Sequence, residues 1–263
     1  MNTVVTTAGR TNEEYILKAK EISKDLNLLY IKRQKKSVST IQIEQHANVL
    51  VVSKERLELY TYGSISPFFF HPNSAAFRMK RLVNGEQDSF LQATRLEEGD
   101  FFLDTTAGLC SDSIIAAYAT GDAGAVHACE KEPIIAYVVG EGLKNYEPKN
   151  EILEKSLRRI HLYHQDAIDY MKTVASNFYD VVYLDPMFDE IIDESSNFHV
   201  LRSIGLHDSL SDKWLEEAKR IAKKRVVLKA HFRSNLFEQF GFERDIRLSS
   251  KFHYGVIDLK GNR

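Results

Sequence analysis

The chain has 263 residues, of which 43% are hydrophobic and 27% charged, and its 35 Lys and Arg nearly balance 37 Asp and Glu. These values exclude a disordered or low-complexity chain, and a formal charge of −2 excludes a uniformly basic coat for nucleic acid. Two cysteines, Cys110 and Cys129, cannot build a disulfide framework, and neither a secretory signal nor a membrane span is evident. The sequence therefore predicts a cytoplasmic globular protein.

The first part of the chain predicts a small N-terminal α/β subdomain over residues 1–72. Thr11 and Glu14 have the spacing of a capping box, and apolar residues at helical spacing follow, so we expect a helix over about 11–28. Short segments rich in β-formers then predict strands at 28–31, 48–52, 57–60 and 68–70.

From residue 100 onward, apolar strands alternate with helical segments. Strands are predicted at 100–104, 125–130, 160–164, 179–185 and 225–229, and helices at about 112–119, 132–145, 166–175 and 212–223. This alternation indicates βαβ crossovers and a buried parallel sheet, which the strand-like segments 242–250 and 251–259 would close as an antiparallel hairpin. Sheets of this class bind ligands beyond the carboxyl ends of their strands.

The first of these strands runs into a turn of small residues, FFLDTTAGLCSDS at 101–113. Gly108 permits close approach of a ligand to the backbone, and a helix that begins near Ser111 presents free N–H groups. A dinucleotide pyrophosphate would favour three glycines in a G-x-G-x-x-G pattern, so a nucleotide-like ligand without phosphates fits better. An ordinary tight β-to-α turn is an equally good interpretation of this segment.

Two further acids follow the next two strands. Glu130 can accept hydrogen bonds from both hydroxyls of a ribose, or it can be an acid at a helix N-terminus. Asp166 stands where a carboxylate, or the next backbone N–H, would contact an adenine edge, or where it would cap the helix from Ala167. Three acids at successive strand ends favour a ligand site more than any one of them does.

The sharpest motif is VVYLDPMF at 181–188. A buried strand delivers Asp185 to its end, and Pro186 follows with a carbonyl group and no N–H. The two oxygen acceptors can hold the amine of a planar base while Phe188 stacks on its ring. The simpler alternative is an Asp-Pro turn that ends the strand.

Together these motifs resemble class I S-adenosylmethionine-dependent methyltransferases. DTTAGLCSDSIIA, VVYLDPMF and RVVLK resemble, more narrowly, the bacterial 16S ribosomal RNA guanine-N2 methyltransferase J family. The resemblance implies a Rossmann-like seven-stranded sheet, mostly parallel, in a methyltransferase domain over 73–263 with S-adenosyl-L-methionine as cofactor.

The resemblance also implies roles for individual residues. The implied cofactor-binding residues are Asp104, Thr106, Gly108, Ser111, Asp112, Glu130, Lys131, Asp166, Ala167 and Asp185. The implied catalytic residues are Asp185, Pro186 and Phe188, and the implied substrate contacts are Arg78, Lys80 and Lys229. Neither a metal nor a covalent intermediate is required.

The chain departs from the family pattern at three places. An acidic stretch, DEIIDESSNF at 189–198, stands where the family has Pro and a Lys-rich stretch, and its charge would repel phosphates. Cys110 and Ser111 stand for Gly and Arg, and Ala-His-Phe follows RVVLK where the family has Arg-Pro.

Three basic clusters, at 32–36, 78–81 and 219–225, are candidates for contacts with RNA phosphates, although each can equally be a solvated face. Arg78 and Lys80 are the strongest of these candidates because their segment resembles the family. The histidines at 161 and 164 would lie on opposite faces of a strand, which argues against a metal site there.

The expected function is therefore methyl transfer to an exocyclic amine of a guanine in small-subunit ribosomal RNA, with that RNA or the small ribosomal subunit as partner. The acidic residues at 189–194 favour an alternative, a methyltransferase of the same fold that acts on DNA, a protein amide or a small molecule. A non-catalytic cofactor-binding factor in RNA or ribosome assembly is a third possibility. The single glycine in the turn disfavours a nicotinamide dehydrogenase.

Overall fold

The computed structural model describes residues 1–186, 209–247 and 250–259. The described residues pack into two compact units, of which the first contains Met1–His71 and Pro133–Gly142, and the second the remainder. The predicted division into domains 1–72 and 73–263 stays a prediction. Within the described residues, no helix has the length and apolar character needed to cross a membrane.

The first unit is built on a four-stranded sheet in the order β2-β1-β3-β4. Its strands are β1 Thr3–Thr7, β2 Leu29–Tyr30, β3 Asn48–Val52 and β4 Leu57–Tyr60, and its helices are α1 Glu13–Asp25 and α2 Val38–Gln45. Strand β1 pairs in parallel with both β2 and β3, while β4 is antiparallel to β3. All residues of β1 and β3 are buried, so these two strands form the centre of this unit.

The structure confirms the strands predicted at 48–52 and 57–60 and corrects two other predictions. Asn12, not Thr11, caps α1, because its side chain accepts the N–H of Tyr15 at 3.0 Å. The segment 68–70 is not a strand, since Phe68 makes only an isolated bridge to Leu59.

The second unit contains the predicted seven-stranded sheet, in the order β10-β11-β9-β8-β5-β6-β7. Its strands are β5 Phe101–Asp104, β6 Ala125–Glu130, β7 Ile160–His164, β8 Tyr179–Leu184, β9 Ala222–His231, β10 Glu243–Asp245 and β11 Phe252–Asp258. The central strands are parallel, and the antiparallel pair β10–β11 closes the sheet against β9. This is the Rossmann-like arrangement that the sequence predicts.

Helices join and cover these strands. They are α3 Asn73–Val83, α4 Ser89–Thr94, α5 Ser111–Thr120, α7 Glu151–Arg158, α8 Ala167–Thr173, α9 Asp212–Ile221 and α10 Leu236–Gln239. Helix α6 Pro133–Asn145 follows β6 along the chain, and its residues Pro133–Gly142 belong to the first unit. The helix predicted over 212–223 ends at Ile221, because Ala222 already pairs with Tyr179 and starts β9 earlier than predicted.

The topology places a crevice between β5 and β8. The chain leaves β5 toward β6 and β7 and then returns to β8 on the other side of β5, which makes this pair the switch point of the sheet. Every residue of β8 is buried, and Leu103, Val182 and Leu228 pack with Trp214 of α9 in the core beneath. The rigid core thus holds the ends of both strands at one edge.

Candidate active site

The turn after β5 is fixed by the ends of its two neighbouring strands. Thr105 donates from its backbone N–H, at 3.0 Å, and from its hydroxyl, at 2.8 Å, to the carbonyl oxygen of Tyr183. On the other side, the N–H of Ala107 donates to the carbonyl oxygen of Cys129 at 2.9 Å. Gly108 has φ +48°, and a Cβ built there would meet no atom of the described residues within 4 Å. The turn is therefore held rigidly while Gly108 borders open space.

Asp104 stabilises this turn through two hydrogen bonds. Its carboxylate accepts the hydroxyl of Ser113 at 2.5 Å and the N–H of Thr106 at 3.0 Å, and the residue is only 2% exposed. Burial raises the pKa of Asp104 to about 7, although both hydrogen bonds lower it. Asp104 thus acts on the shape of the turn, and its contact with the cofactor stays a prediction.

Glu130 reaches from the end of β6 to the same turn. One of its carboxylate oxygens accepts the N–H of Gly108 at 3.2 Å and the other the N–H of Glu132 at 2.9 Å. Burial raises the pKa of Glu130 to about 7. Each oxygen has a further lone pair, so the carboxylate can still accept hydrogen bonds from a ligand.

Asp166 at the end of β7 is both a helix cap and an ion-pair partner. Its Oδ1 accepts the N–H groups of Ile168 and Asp169 at the start of α8, which confirms the capping interpretation. Its Oδ2 lies 3.1 Å from Nζ of Lys131. Burial raises the pKa of Asp166, but the hydrogen bond from Lys131 outweighs it and the net shift is downward. Ala167 begins the helix.

Asp112, in the first turn of α5, is the centre of a buried charge cluster. It accepts hydrogen bonds from Arg78 at 2.6 Å, the hydroxyl of Tyr183 at 2.9 Å and Nζ of Lys229 at 3.1 Å. Although burial raises it, the two cations bring the pKa of Asp112 well below its ordinary value. Arg78 makes a second, bidentate pair with Asp88, at 2.8 and 2.9 Å.

Lys229, on β9, links this cluster to the Asp-Pro motif. Its Nζ lies 2.8 Å from Oδ2 of Asp185, while it also contacts Asp112. Burial lowers the pKa of Lys229, but the two carboxylates raise it further and keep the side chain cationic. The backbone N–H of Asp185 donates to Oγ1 of Thr106 at 3.1 Å, so the motif is tied to the β5 turn as well.

The structure brings most of the predicted residues to one edge of the sheet. Around the β5 and β8 ends these are Asp104, Thr106, Gly108, Ser111, Asp112, Asp185, Pro186 and Lys229. Glu130, Lys131, Asp166 and Ala167 follow at the ends of β6 and β7. Phe188 and the acidic stretch 189–198 lie outside the described residues. No group of three or more potential metal ligands occurs in the part of the chain that the structure describes.

Of the three basic residues predicted to contact the substrate, the two on α3 point to different sides of that helix. Arg78 is directed inward, its side chain is 19% exposed, and Asp88 and Asp112 take up its guanidinium. This geometry does not favour contact with a phosphate, which would have to compete with two carboxylates. Lys80 is exposed on the opposite side of α3.

The sequence analysis did not identify two residues of the charge cluster around Asp112, namely Tyr183 and Asp88. Tyr183 stands two residues before Asp185, and that spacing places both side chains on the same face of a strand, which was a usable signal. Asp88 caps α4 by accepting the N–H groups of Phe90 and Leu91, and an Asp before Ser-Phe-Leu is a usual capping pattern.

The class of protein follows from comparison with known families. The family model described as "Putative SAM-dependent methyltransferase" matches residues 33–247. The chain therefore belongs to the S-adenosylmethionine-dependent methyltransferases, as its motifs predict, and its cofactor is S-adenosyl-L-methionine.

Individual relatives extend this result. The chain is 43% identical to the uncharacterized protein YpiP of Bacillus subtilis, over 97% of this chain and 98% of that one. It is 30% identical to ribosomal RNA small subunit methyltransferase J of Nitrosococcus oceani, over 68% of this chain and 72% of the relative. For the same enzyme of Pectobacterium atrosepticum the identity is 31%, over 68% and 74%.

A solved structure shares the fold. A SAM-dependent methyltransferase from Neisseria gonorrhoeae superposes with a TM-score of 0.61 at 18% identity, and the match covers 99% of this chain and 97% of that one.

The residues at the strand ends fit the cofactor. Gly108 leaves room for a ligand beside the turn, and the carboxylate of Glu130, with its remaining lone pairs, suits a ribose diol. The α5 N-terminus at Ser111 has no side-chain cap and so offers N–H donors.

Proposed function

We propose that this methyltransferase modifies an exocyclic amine of an RNA base, with guanine N2 in small-subunit ribosomal RNA as the first candidate. The observation that carries the proposal is the Asp185-Pro186 pair at the end of β8, anchored on one side by Lys229 and on the other by Thr106. Relatives named for the small-subunit ribosomal RNA support the choice of acceptor. A ribosomal substrate would place the protein in the cytoplasm.

The ends of different strands would hold different parts of the cofactor. Glu130, with Lys131 beside it, would hold the ribose, and Asp166 with the N–H of Ala167 would contact the adenine. The turn from Thr106 to Ser111, supported by Asp104, would hold the methionine end. When bound, S-adenosylmethionine supplies an electrophilic methyl group with a built-in leaving group.

The acceptor amine would be oriented by oxygen atoms of this chain. The carboxylate of Asp185 and the carbonyl of Pro186 would accept its N–H hydrogens and turn the nitrogen lone pair toward the methyl group. Lys229 keeps a cation 2.8 Å from Asp185, which favours the ionised carboxylate that can also accept the proton the amine loses. Thr106 fixes the backbone from which this carboxylate projects.

Phe188 would stack on the base, and a base reached in this way must be unpaired or turned out of its helix. Asp112 and Tyr183 would not touch the acceptor. They position Lys229 and thereby the charge that acts on Asp185.

Methyl transfer from tritiated S-adenosylmethionine tests this proposal. The acceptors are small ribosomal subunits from cells that lack the gene, naked ribosomal RNA, DNA and total protein. We expect label in subunits or RNA, and we expect Asp185→Asn to reduce it by a factor of about 10² to 10⁴ while S-adenosylhomocysteine still binds. Transfer only to DNA or protein would overturn the RNA assignment, and unchanged turnover in Asp185→Asn would overturn the role of that residue.

A further inference from the structure

Helix α3 presents a face to solvent that the methyl-transfer chemistry does not use. The residues of this face recur at helical spacing, and every one of them is exposed. We call these residues the outer face of α3: Asn73, Ser74, Phe77, Lys80, Arg81 and Asn84, which caps the C-terminus of the helix. The face combines an aromatic ring, two cations and three hydrogen-bonding side chains, and none of its members is acidic.

Phe77 dominates the outer face. It is 64% exposed, which makes it the most exposed aromatic side chain among the described residues. The guanidinium carbon of Arg81 lies 6.0 Å from the centre of its ring. Arg81 also pairs with Glu86 at 2.7 Å, but both side chains are about half exposed, so that pair is weak and can exchange for another anion.

The opposite side of α3 is tied to the candidate active site. Ala75 and Met79 are buried, and Arg78 reaches Asp112, which in turn contacts Lys229. The network fixes the helix, about 10 Å across, against the residues that hold Asp185. A ligand on the outer face would therefore lie at a set position relative to the acceptor site.

The composition of the outer face selects among possible occupants. A stable protein–protein contact buries about 800 Å² on each partner, and one aromatic side chain among polar neighbours offers far less apolar surface. Val83 is also exposed, but six residues along the helix it lies on a different side. An exposed ring next to cations is instead the combination that binds single-stranded nucleic acid, by stacking and by phosphate contacts.

We propose that the outer face of α3 binds a single-stranded RNA segment that flanks the acceptor nucleotide. Phe77 stacks on a base, while Lys80 and Arg81 contact phosphates on either side of it. The amide and hydroxyl groups of Asn73, Ser74 and Asn84 lie along the same path. This inference rests on the proposed RNA substrate, and it gives Lys80 a place in recognition that Arg78 does not share.

The test compares three variants in binding a labelled single-stranded RNA of about 16 nucleotides to the protein saturated with S-adenosylhomocysteine. Phe77→Ala should weaken binding about tenfold without changing its salt dependence, and Phe77→Trp should restore it. The double variant Lys80→Ala/Arg81→Ala should reduce the slope of log K against log salt by about 1.4, or about 0.7 for each phosphate contact.

A matched control removes the same charge elsewhere in this unit. Lys149→Ala/Lys155→Ala changes two exposed lysines, one just before α7 and one on it, outside the three basic clusters, and should alter neither affinity nor slope. All of these side chains are exposed, so thermal melting and cofactor affinity should stay at the wild-type values in every variant.

Each outcome separates this inference from the proposed function. Wild-type RNA binding that Phe77→Ala leaves intact would overturn the docking surface, while methyl transfer to RNA would still support the enzyme. Loss of RNA binding in Phe77→Ala, with no methyl transfer to any RNA by the wild type, would support the outer face as an RNA-binding surface. The same result would overturn RNA as the methyl acceptor. A wild type that binds no RNA would overturn both, and a dimer that Phe77→Ala dissociates in sedimentation would assign the face to a second copy of the chain.

Discussion

Lys229 forms ion pairs with two carboxylates at once, and these pairs set the charge state of the site. Its Nζ lies 2.8 Å from Asp185 and 3.1 Å from Asp112, and Arg78 balances the second acid. Two cations thus face three carboxylates, since Arg78 also pairs with Asp88, in a largely buried region where such pairs interact more strongly than at the surface. Removing one cation would leave like charges facing each other.

The substitution Lys229→Met should therefore lower kcat by about 10²-fold, the usual effect of losing one preorganised charged group. The ammonium lies 2.8 Å from the carboxylate of Asp185 and favours its ionised form, so loss of the ammonium should move the acidic limb of the pH–rate profile to higher pH. The profile and the affinity for S-adenosylhomocysteine are measured together. Lys229→Arg keeps the charge and should retain the wild-type limb, and an unshifted limb in Lys229→Met would contradict the assignment.

Glu130 predicts a pH dependence of cofactor binding. Its pKa is raised to about 7, so the carboxyl group binds a proton as the pH falls below that value. The protonated form has fewer acceptor sites for ribose hydroxyls. We expect the affinity for S-adenosylhomocysteine, measured by calorimetry, to fall about tenfold for one pH unit below 7. Glu130→Gln should bind weakly with a flatter pH profile, and equal pH dependence in the two proteins would rule the role out.

At the scale of elements, strands were easier to predict than helices. The ranges of β6 and β7 match the predicted ones because each is a short apolar run between clear breaks. Helices α3 and α4 were missed, although α3 carries Arg78 and the proposed docking face. Their short apolar faces contain charged and polar residues, so the helical period is weak in the sequence.

The connection from α5 to β6 depends on one close backbone approach. A Cβ at Gly124 would lie 2.5 Å from the carbonyl oxygen of Asp100 and 2.6 Å from Cβ of Thr120. We expect Gly124→Ala to lower the free energy of unfolding by about 1–3 kcal/mol, as measured by urea denaturation. Gly9→Ala is the matched control, since a Cβ at Gly9 meets no atom of the described residues within 4 Å and should cost less than about 0.5 kcal/mol. Equal stabilities of the two variants would contradict the packing argument.

At the scale of the whole molecule, buried ionisable groups change the stability of the fold with pH in opposite directions. Burial raises the pKa of Asp104 and of Glu130 to about 7, so both stabilise the fold below the pKa of the unfolded chain, and that stability is lost as the pH rises through 7. Burial lowers the pKa of His127, so this residue acts in the opposite sense and costs stability as the pH falls below 6.5.

The two carboxyl groups should outweigh the histidine between pH 5 and 8. We expect the cofactor-free protein to lose thermal stability over this range, and Asp104→Asn to lose less than the wild type, because an amide keeps the contacts to Thr106 and Ser113 without a charge. Scanning calorimetry at several pH values measures the slope. Asp122→Asn, at an exposed carboxylate, should retain it, and a wild-type slope in Asp104→Asn would refute the linkage.

The sequence by itself determined the class of fold, the cofactor and the acids at the strand ends, since strand alternation and motifs such as Asp185-Pro186 are written in short windows. Only the tertiary structure decided which charges meet. Asp112 contacts Arg78 from 34 residues away, Tyr183 from 71 and Lys229 from 117. No local pattern encodes such pairs, because the order of strands in the sheet and the packing of α3 bring distant side chains together. The same packing turned Arg78 inward and left Phe77 and Lys80 facing solvent.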